Sequence, residues 1–444
     1  MLSSGLNTTW VIVAGVLVMF MQAGFAFLEI GFSRQKNAGT VVAKILTNFS
    51  ICAIVWWLCG FAFAFGNGKI LGHQGFFLRP YGGNGDAYGI MAFSNASVSA
   101  KFFFQFVFAA VSLAIVWGTT LERVKFGVYI IYAVVFSAII YPIGAHWVFG
   151  GGWLQSHGMQ DFAGSTAVHL IGATGAFAAL LHLGPRRGKY TAEGQPRAIP
   201  GHSMPLFGLG VLILWLGWFG FNPGSTLGVD GNRFADIVVV TNLAAAAGVL
   251  AALGTMWLKT KTFDIGMAGN GAIAALVAIT AGSGYVKPWA AIVIGAVAGV
   301  IVVVGVLAID RKLDDPVGAL SAHGLSGIWG TLACGLFTHP AYATLNGVGK
   351  GGLVYTGSFK QLWTQFYGVA IVFAFVFLLS WCTFWVIKKT YGMRVTAEEE
   401  DNGLDISEHG MYGYPEAFIP TAELVGYGGG PYRTVPPAPI PNEV

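Results

Sequence analysis

The chain has 444 residues, of which 55% are hydrophobic and only 10% are charged, and its mean hydropathy is +0.66. Soluble domains carry about 25% charged residues, so this composition excludes a soluble globular protein and predicts many membrane spans. The formal net charge of +4 is attributed to the loops, and no nucleic-acid partner is expected. The four cysteines follow no metal-ligand spacing, so we expect neither a metal nor another cofactor.

Apolar stretches of about 20 residues predict eleven transmembrane helices, because that length crosses the hydrocarbon core of a bilayer. The predicted spans are residues 9–31, 42–66, 101–121, 126–149, 161–184, 203–222, 235–258, 265–283, 288–309, 317–338 and 361–388. An odd number of spans puts the two termini on opposite sides of the membrane. The 64 glycines are typical of helices that pack closely in lipid, where small residues let two backbones approach.

The distribution of basic residues predicts the orientation, because Lys and Arg are enriched in cytoplasmic loops. With the N-terminus outside, 17 of the 24 basic residues lie in inner loops or the C-terminal tail, and seven lie outside. We therefore predict a multi-pass protein of the cell membrane with its N-terminus outside and its C-terminus in the cytoplasm. Outer and inner are used below in this sense.

This orientation makes spans 1–5 and spans 6–10 two five-helix halves that cross the membrane in opposite directions, with span 11 added. Transporters frequently consist of such inverted repeats, with the substrate pathway at their interface. The predicted fold is an all-α polytopic membrane protein of two inverted five-helix repeats plus one extra helix. The best trace of similarity between the halves is a histidine followed by glycines, namely His169, Gly172 and Gly175, and His323, Gly324, Gly327 and Gly330.

His169 and His323 are the side chains that most clearly indicate a functional site. In the predicted topology His169 lies about 12 Å below the outer edge and His323 about 9 Å above the inner edge, so both are near the middle of a core about 30 Å thick. A histidine in hydrocarbon is costly unless it has a partner or a function. Each could be a structural histidine bonded to a backbone carbonyl, but one in each repeat favours a shared site.

Aromatic residues, one hydroxyl and one carboxylate are predicted to lie together at the outer ends of spans 3 to 6. They are Phe104, Phe108, Phe149, Trp218, Phe221, Ser225 and Asp161. Aromatic faces attract a cation by about 0.5–2 kcal/mol each, so this cluster suits a small ammonium-type ion. Two alternatives stay open: the aromatic residues form the belt that is common at membrane interfaces, and Asp161 caps the N-terminus of span 5.

The chain after span 11 differs in composition from the spans. Residues 395–444 hold nine of the 20 acidic residues and one basic residue, and their last part is rich in Gly and Pro. We predict a membrane domain over residues 1–394 and a cytoplasmic tail over residues 395–444, with residues 418–444 disordered. Another inner carboxylate, Glu29 in span 1, is expected to pair with Arg34 or Lys36 and is assigned no transport role.

Several segments resemble the ammonium transporter family (Amt/Mep, with the related Rh proteins) between about residues 10 and 416. The segments are FMQAGFAFLEIGFSRQKN, FQFVFAAVSLAIVWGTTLERVKF, HWVFGGGWLQSHGMQDFAGSTAVH, GWFGFNPGSTLG, DDPVGALSAHGLSGIWG and the tail GLDISEHGMYGYPE. The combination of DFAGSTAVH, GWFGFN and AHGLSGIWG is very specific, whereas each alone is weak. GWFGFN and the tail motif favour the Amt branch over a Rh-type channel.

The resemblance implies a homotrimer with one pore in each subunit, and it implies roles for individual residues. The implied site residues are the twin pore histidines His169 and His323; the outer recruitment site Phe108, Phe149 and Ser225, with Trp218 and the structural acid Asp161 beside it; and a gate of stacked phenyl rings, Phe108 and Phe221, with Phe104 next to it. The implied regulatory residues are Gly403, Asp405, His409 and Gly410, in a tail that docks on inner loops and couples subunits. A PII-type signalling protein is an implied partner at the inner mouth.

Two residues depart from the pattern of the family. Phe149 stands where many members have Trp, which removes an indole donor and weakens the expected attraction for a cation. Ala62 stands where some members have Ser, which removes a hydroxyl along a deprotonation route.

These features lead to a transport hypothesis rather than an enzymatic one. NH4+ is recruited at the outer aromatic site and loses its proton, and NH3 then crosses along an apolar pore lined by the histidine pair. Two variants of this hypothesis stay open: the pair also relays the proton, which makes transport electrogenic, or the proton does not cross and transport is neutral. Potassium has no proton to lose and is excluded. The alternatives are an ammonium sensor that binds without net flux, a Rh-type gas channel, and a redox protein in which the histidines are axial haem ligands.

Overall fold

The computed structural model describes residues 2–79 and 86–419. The predicted disorder of residues 418–444 lies outside the described residues from residue 420 onward. The described residues form helices and no β-strand. The eleven predicted spans correspond to helical segments that we label α1 to α11. Their bounds are α1 Leu2–Phe32; α2 Ala38–Val55 and Phe61–Phe65, joined by the π-turn Trp56–Gly60; α3 Val98–Trp117; α4 Phe126–Val135 and Tyr141–Phe149, joined by the π-turn Phe136–Ile140; α5 Ser165–Leu170 and Ile171–Leu183; α6 Met204–Gly224; α7 Arg233–Thr260; α8 Ile265–Gly282; α9 Pro288–Ile309; α10 Leu320–Leu325 and Ser326–Phe337; and α11 Lys360–Thr390.

Ten of these segments are long and apolar enough to cross a membrane. The other predicted span, α10, is helical from Leu320 to Phe337 but carries the polar residues Ser321, His323 and Ser326, which lower its mean hydropathy. The all-α, multi-span architecture is confirmed, and the number of eleven crossings stays a prediction. Short helices lie outside the spans, namely Trp153–Ser156, Pro340–Asn346, Leu353–Thr356, Ala397–Asn402, Leu404–His409 and Pro415–Phe418.

The first helices of the two halves, α1 and α6, pack against each other. Glycines at this contact let the backbones approach: a Cβ atom on Gly31 would lie 2.5 Å from the amide nitrogen of Phe207, and one on Gly210 would lie 2.4 Å from that of Leu28. Neither position has room for a side chain, so the contact is made backbone to backbone, as small residues allow in membrane helices.

Buried charges join the inner loops beneath the bundle. The carboxylate of Asp314 accepts hydrogen bonds from Nε and Nη2 of Arg186 at 2.9 and 2.8 Å, and Arg123 donates to the carbonyl of Asp314 at 3.0 Å. Burial alone would raise the pKa of Asp314, but the hydrogen bonds from Arg186 and the charge of Arg123 outweigh it and lower that pKa to about 2. The loop before α10 is thereby fixed to the segments that follow α3 and α5.

Glu29 forms its ion pair with Lys44 of α2. The prediction that it pairs with Arg34 or Lys36 is therefore wrong. Both members of the pair are buried, with 1% of Glu29 and none of Lys44 exposed. Arg34 pairs instead with Glu122 at 2.6 Å, and Lys36 donates to backbone carbonyls of the tail. The expected partners are close in sequence, but α2 reverses direction after α1 and brings Lys44 beside Glu29.

Candidate functional site

His169 on α5 and His323 on α10 face each other inside the bundle. Their Nδ1 atoms lie 3.3 Å apart, and the angle between the ring planes is 19°. The exposed fractions of the two residues are 0% and 5%. The Nδ1 atom of each imidazole therefore has the other imidazole as its hydrogen-bond partner. The alternative of a structural histidine bonded to a backbone carbonyl does not apply to these Nδ1 atoms.

This hydrogen bond constrains the protons of the pair. One Nδ1 atom must donate and the other must accept, so two neutral rings adopt opposite tautomers. Nε2 of His169 is buried and has no hydrogen-bond partner among the described residues, which leaves it available to a small polar molecule. Because the rings touch directly, they cannot lie on opposite faces of one haem, and the haem alternative loses its basis.

Aromatic rings cover His169. Phe108 of α3 and Phe221 of α6 stack with their ring centroids 3.9 Å apart and 23° between their planes. The ring of Phe221 lies 5.5 Å from that of His169, and Phe104 lies 4.6 Å from Phe108. All of these rings are buried, so His169 lies beneath a layer of aromatic side chains.

Trp218 lies deeper than the sequence suggests. Its indole Nε1 donates to the hydroxyl of Thr280 at 2.9 Å, and its ring stacks on His169 with centroids 5.3 Å apart. None of Trp218 is exposed. α6 continues to Gly224, so Trp218 lies about 9 Å below the end of that helix, where it contacts His169.

The other members of the predicted recruitment site, Phe149 and Ser225, contact different neighbours. Phe149 is half-buried and stacks on Phe65, with centroids 5.9 Å apart. The hydroxyl of Ser225 donates to the carbonyl of Phe221 at 2.8 Å, which leaves its oxygen lone pairs free to accept. Among the described residues no ring contact joins Phe149 to Phe108, so these two rings do not stack on each other.

Asp161 caps the start of α5. Each carboxylate oxygen accepts two backbone amide hydrogens, from residues 164–167, at 2.8 to 2.9 Å. These amides belong to the turn that leads into the helical segment with His169. The geometry therefore supports the capping alternative, because both oxygens of Asp161 are occupied by the backbone.

A narrow cavity leads from His323 towards the inner end of the bundle. Its volume of about 20 Å³ accommodates a molecule of the size of water or ammonia. Because the wall is mostly apolar, it suits a neutral molecule better than a bare ion. The lining includes Phe25, Leu28, Ile115, Leu214 and Val317, with Glu29 and Asn270 as polar members beside His323.

Comparisons with known proteins identify the family. Residues 9–414 match the Ammonium Transporter Family. The chain belongs to this family. The relative "Ammonium transporter Amt2" of Archaeoglobus fulgidus is 44% identical, and the match covers 95% of this chain and 91% of the relative. A solved structure described as "Sensor Amt Protein" superposes with a TM-score of 0.84 at 36% identity and covers 92% of this chain and 99% of that one. The crystal structure of Candida albicans Mep2 superposes with a TM-score of 0.80 at 28% identity, with coverages of 89% and 87%.

Membership of a transporter family fits the expectation of a multi-pass membrane protein that is not an enzyme. It also supports ammonium as the substrate class, since the relatives are named ammonium transporters.

One feature of this ammonium transporter was missed in the sequence, although a signal for it is present. The pattern D-x-x-G-x-x-x-x-H occurs once in each half, as Asp161, Gly164 and His169, and again as Asp315, Gly318 and His323. Asp315 accepts hydrogen bonds from backbone amides at the start of α10, as Asp161 does for α5. Both glycines have positive φ, 122° and 74°, which residues with a side chain rarely adopt.

The tail of the transporter docks on its own inner loops. The carboxylate of Asp405 accepts hydrogen bonds from the backbone amides of Gly39 and Thr40, at 2.9 and 2.8 Å, and so caps the N-terminus of α2. The amide of Leu404 donates to the side chain of Asn37 at 2.9 Å. Only 1% of Asp405 is exposed, so this contact is a buried one.

The remaining predicted tail residues support the same contact. The ring of His409 packs edge to face on Phe126 at the start of α4, with centroids 4.8 Å apart. Gly403 and Gly410 have φ values of 101° and 66°, and a Cβ on Gly403 would lie 2.6 Å from the carbonyl oxygen of Lys36. A larger residue at position 403 would push the tail away from the loop between α1 and α2.

Proposed function

We propose that this protein transports ammonium by separating NH4+ into NH3 and a proton that cross by way of the histidine pair. The observation that carries the proposal is the direct contact of His169 and His323 beneath the stacked rings of Phe108 and Phe221. NH3 can donate to and accept from the imidazoles in an otherwise apolar passage. A bare cation would leave its charge uncompensated there, so potassium, which cannot lose a proton, is rejected.

Recruitment of NH4+ is assigned to the outer residues Phe108, Phe149 and Ser225. Ring faces attract the cation, and the oxygen of Ser225 can accept one of its hydrogens. Phe149 contributes less than the Trp common at this position would. Asp161 is assigned no contact with the cation, because both of its oxygens are bonded to backbone amides. Ala62 is buried and has no hydroxyl, so it receives no role.

The proton follows the hydrogen bond between the imidazoles. A proton that reaches Nε2 of His169 lets the pair shift its shared Nδ1 proton to His323, which then releases a proton towards the inner cavity. One positive charge crosses with each NH3, so transport is electrogenic.

The decisive experiment is a current measurement on proteoliposomes adsorbed to a solid-supported membrane. We expect a saturable current with ammonium, a measurable one with methylammonium and none with potassium. A potassium current of similar size would contradict the proposed selectivity. Ammonium uptake without charge movement would contradict the relay but leave ammonia transport intact.

The double variant Phe108→Ala, Trp218→Leu tests the aromatic residues above the pair. We expect its half-saturation concentration for ammonium to rise by about tenfold, because two ring contacts worth about 0.5–2 kcal/mol each are lost. Concentration series of the initial current measure this. An unchanged half-saturation concentration would mean that these rings pack inside the bundle without contributing to cation binding. Trp363→Leu, at an exposed position on α11, is the matched control.

Ammonium sensing is a second candidate function, favoured by the similarity to the solved structure described as "Sensor Amt Protein". A sensor binds ammonium without net flux, whereas a transporter acidifies or alkalises the vesicle lumen as ammonium crosses. A pH-sensitive dye inside the proteoliposomes distinguishes the two functions directly.

The proposed assembly is a homotrimer in the cell membrane, with the N-terminus outside and the membrane domain over residues 1–394. The cytoplasmic tail, residues 395–444, is proposed to couple neighbouring subunits, and a PII-type signalling protein is proposed to bind the inner mouth. Hydrogen bonds between the tail and the loop that joins α1 and α2 support a tail that docks on the membrane domain.

Truncation after Arg394 tests whether the tail supports the active state. We expect the ammonium current to fall several-fold, because α2 loses the cap that Asp405 provides and the inner loops lose a buried contact. Asp405→Ala is the matched single substitution and should reproduce part of the loss. A truncated protein with full current would mean that the tail merely packs against the membrane domain.

A further inference from the structure

The cavity beneath the histidine pair contains a second titratable side chain. Glu29 of α1 and His323 of α10 line the same narrow space, which is otherwise mostly apolar. The cavity has room for about one molecule of the size of water or ammonia, in a space that both the imidazole and the carboxylate line. Glu29 thus lies on the route that a proton leaving His323 would take.

The burial of Glu29 and Lys44 indicates a function beyond stability. The ammonium group of Lys44 donates to Oε2 of Glu29, and its Nζ lies 5.8 Å from the ring centroid of Tyr129. Replacing such buried ion pairs by apolar residues is often neutral or stabilising, so stability alone gives little reason to keep one. Glu29 lines the wall of a narrow passage, where a carboxylate can take up and release a proton.

We propose that Glu29 is a proton carrier of the transport pathway, which accepts the proton released by the histidine pair and passes it to the inner solution. The inference rests on the proposed relay through His169 and His323. Lys44 is a positioning residue: it donates to Oε2 of Glu29 and so holds the carboxylate in place, and its charge balances that of the carboxylate between transfers.

The steps balance in protons and charge. Outside, NH4+ releases one proton and becomes NH3. The pair passes a proton through the cavity to the carboxylate of Glu29, which becomes a neutral carboxylic acid and loses its ionic contact with Lys44. The acid releases the proton to water at the inner mouth, NH3 takes up a proton there, and the ion pair forms again. One NH4+ has left the outer solution and one has appeared inside.

The test compares the double variant Glu29→Gln, Lys44→Met with the unmodified protein in proteoliposomes. This variant removes both charges and leaves no unpaired one in the apolar interior. We expect the ammonium current to fall by about 100-fold, the effect of losing a positioned proton-transfer group, while the protein stays monodisperse with an unchanged melting temperature. The single variant Glu29→Gln removes the same carboxylate and decides the question if the double variant does not fold.

The matched control is Asp310→Asn, Lys189→Met, which removes another inner acid–lysine pair, 2.5 Å apart and outside the cavity. It should keep the current. If either Glu29 variant folds and retains the current, while the pair variant His169→Ala, His323→Ala loses it, the inference about Glu29 is wrong and the relay stands. If the unmodified protein itself moves no charge with ammonium, the relay and the role of Glu29 are both wrong, and ammonia transport without a relay remains.

Discussion

Replacing both His169 and His323 with alanine should abolish the saturable ammonium current, a loss of about 100-fold or more. The substitutions remove the only imidazoles that contact each other in the described part of the chain, and with them the donor and acceptor atoms of the passage. The space that remains is apolar and cannot carry a proton. Current and internal pH, recorded on the same vesicles, separate loss of charge movement from loss of NH3 flux.

Two further variants make this experiment specific. His182→Ala is the matched control, because His182 lies on the same helix, packs on Trp381 and does not contact the pair. It should leave the current unchanged. Single replacement of His169 or His323 by alanine should break the relay as completely as the double replacement does, since one imidazole has no Nδ1 partner. A double variant that keeps both the current and the rejection of potassium would refute the proposed mechanism.

The helices and the histidine pair were predictable because their signals are local or repeated. A long apolar run predicts a membrane-spanning helix because a backbone in lipid must satisfy its own hydrogen bonds. This prediction needs no knowledge of how the helices pack. His169 and His323 stand out because polar side chains are rare within such runs. The end points of α1 and α6 were less predictable, since a helix continues beyond its apolar run into the interfacial region.

Lateral relations between helices were harder to predict. Sequence spacing gives the depth of a residue along its own helix but not the neighbour that it faces. Glu29 therefore seemed to belong with Arg34 or Lys36, whereas packing of α1 on α2 brings it to Lys44. For the same reason the sequence does not predict that the ring of Phe149 stacks on Phe65.

The repeated D-x-x-G-x-x-x-x-H pattern is present in the sequence, but its role is recognised only from the structure. His169 and His323 and the glycines after them are conspicuous, whereas the acids that come eight positions earlier, Asp161 and Asp315, resemble ordinary loop residues. Those carboxylates hold the first turns of α5 and α10 and so fix the depth of each histidine. Two inverted halves thus form one site with the same local features, an acidic cap and a glycine with positive φ.

Asp161→Ala should therefore destabilise the protein and disable transport together. Four buried amides lose their acceptors, and leaving buried donors unsatisfied costs about 1–3 kcal/mol each, so we expect a loss of at least about 4 kcal/mol and a clearly lower melting temperature in detergent. The helical turn that carries His169 then loses its fixed position against His323, and the ammonium current disappears in any protein that still folds.

Asp161→Asn distinguishes capping from attraction of the cation. The amide keeps one oxygen that can accept two of the four hydrogen bonds, so we expect an intermediate melting temperature and a reduced maximal current at a similar half-saturation concentration. Asp315→Ala is the matched comparison, because it frees only two backbone amides and should cost correspondingly less. If Asp161→Asn instead kept the wild-type melting temperature and raised only the half-saturation concentration, the charge of Asp161 would act on the cation and capping would be secondary.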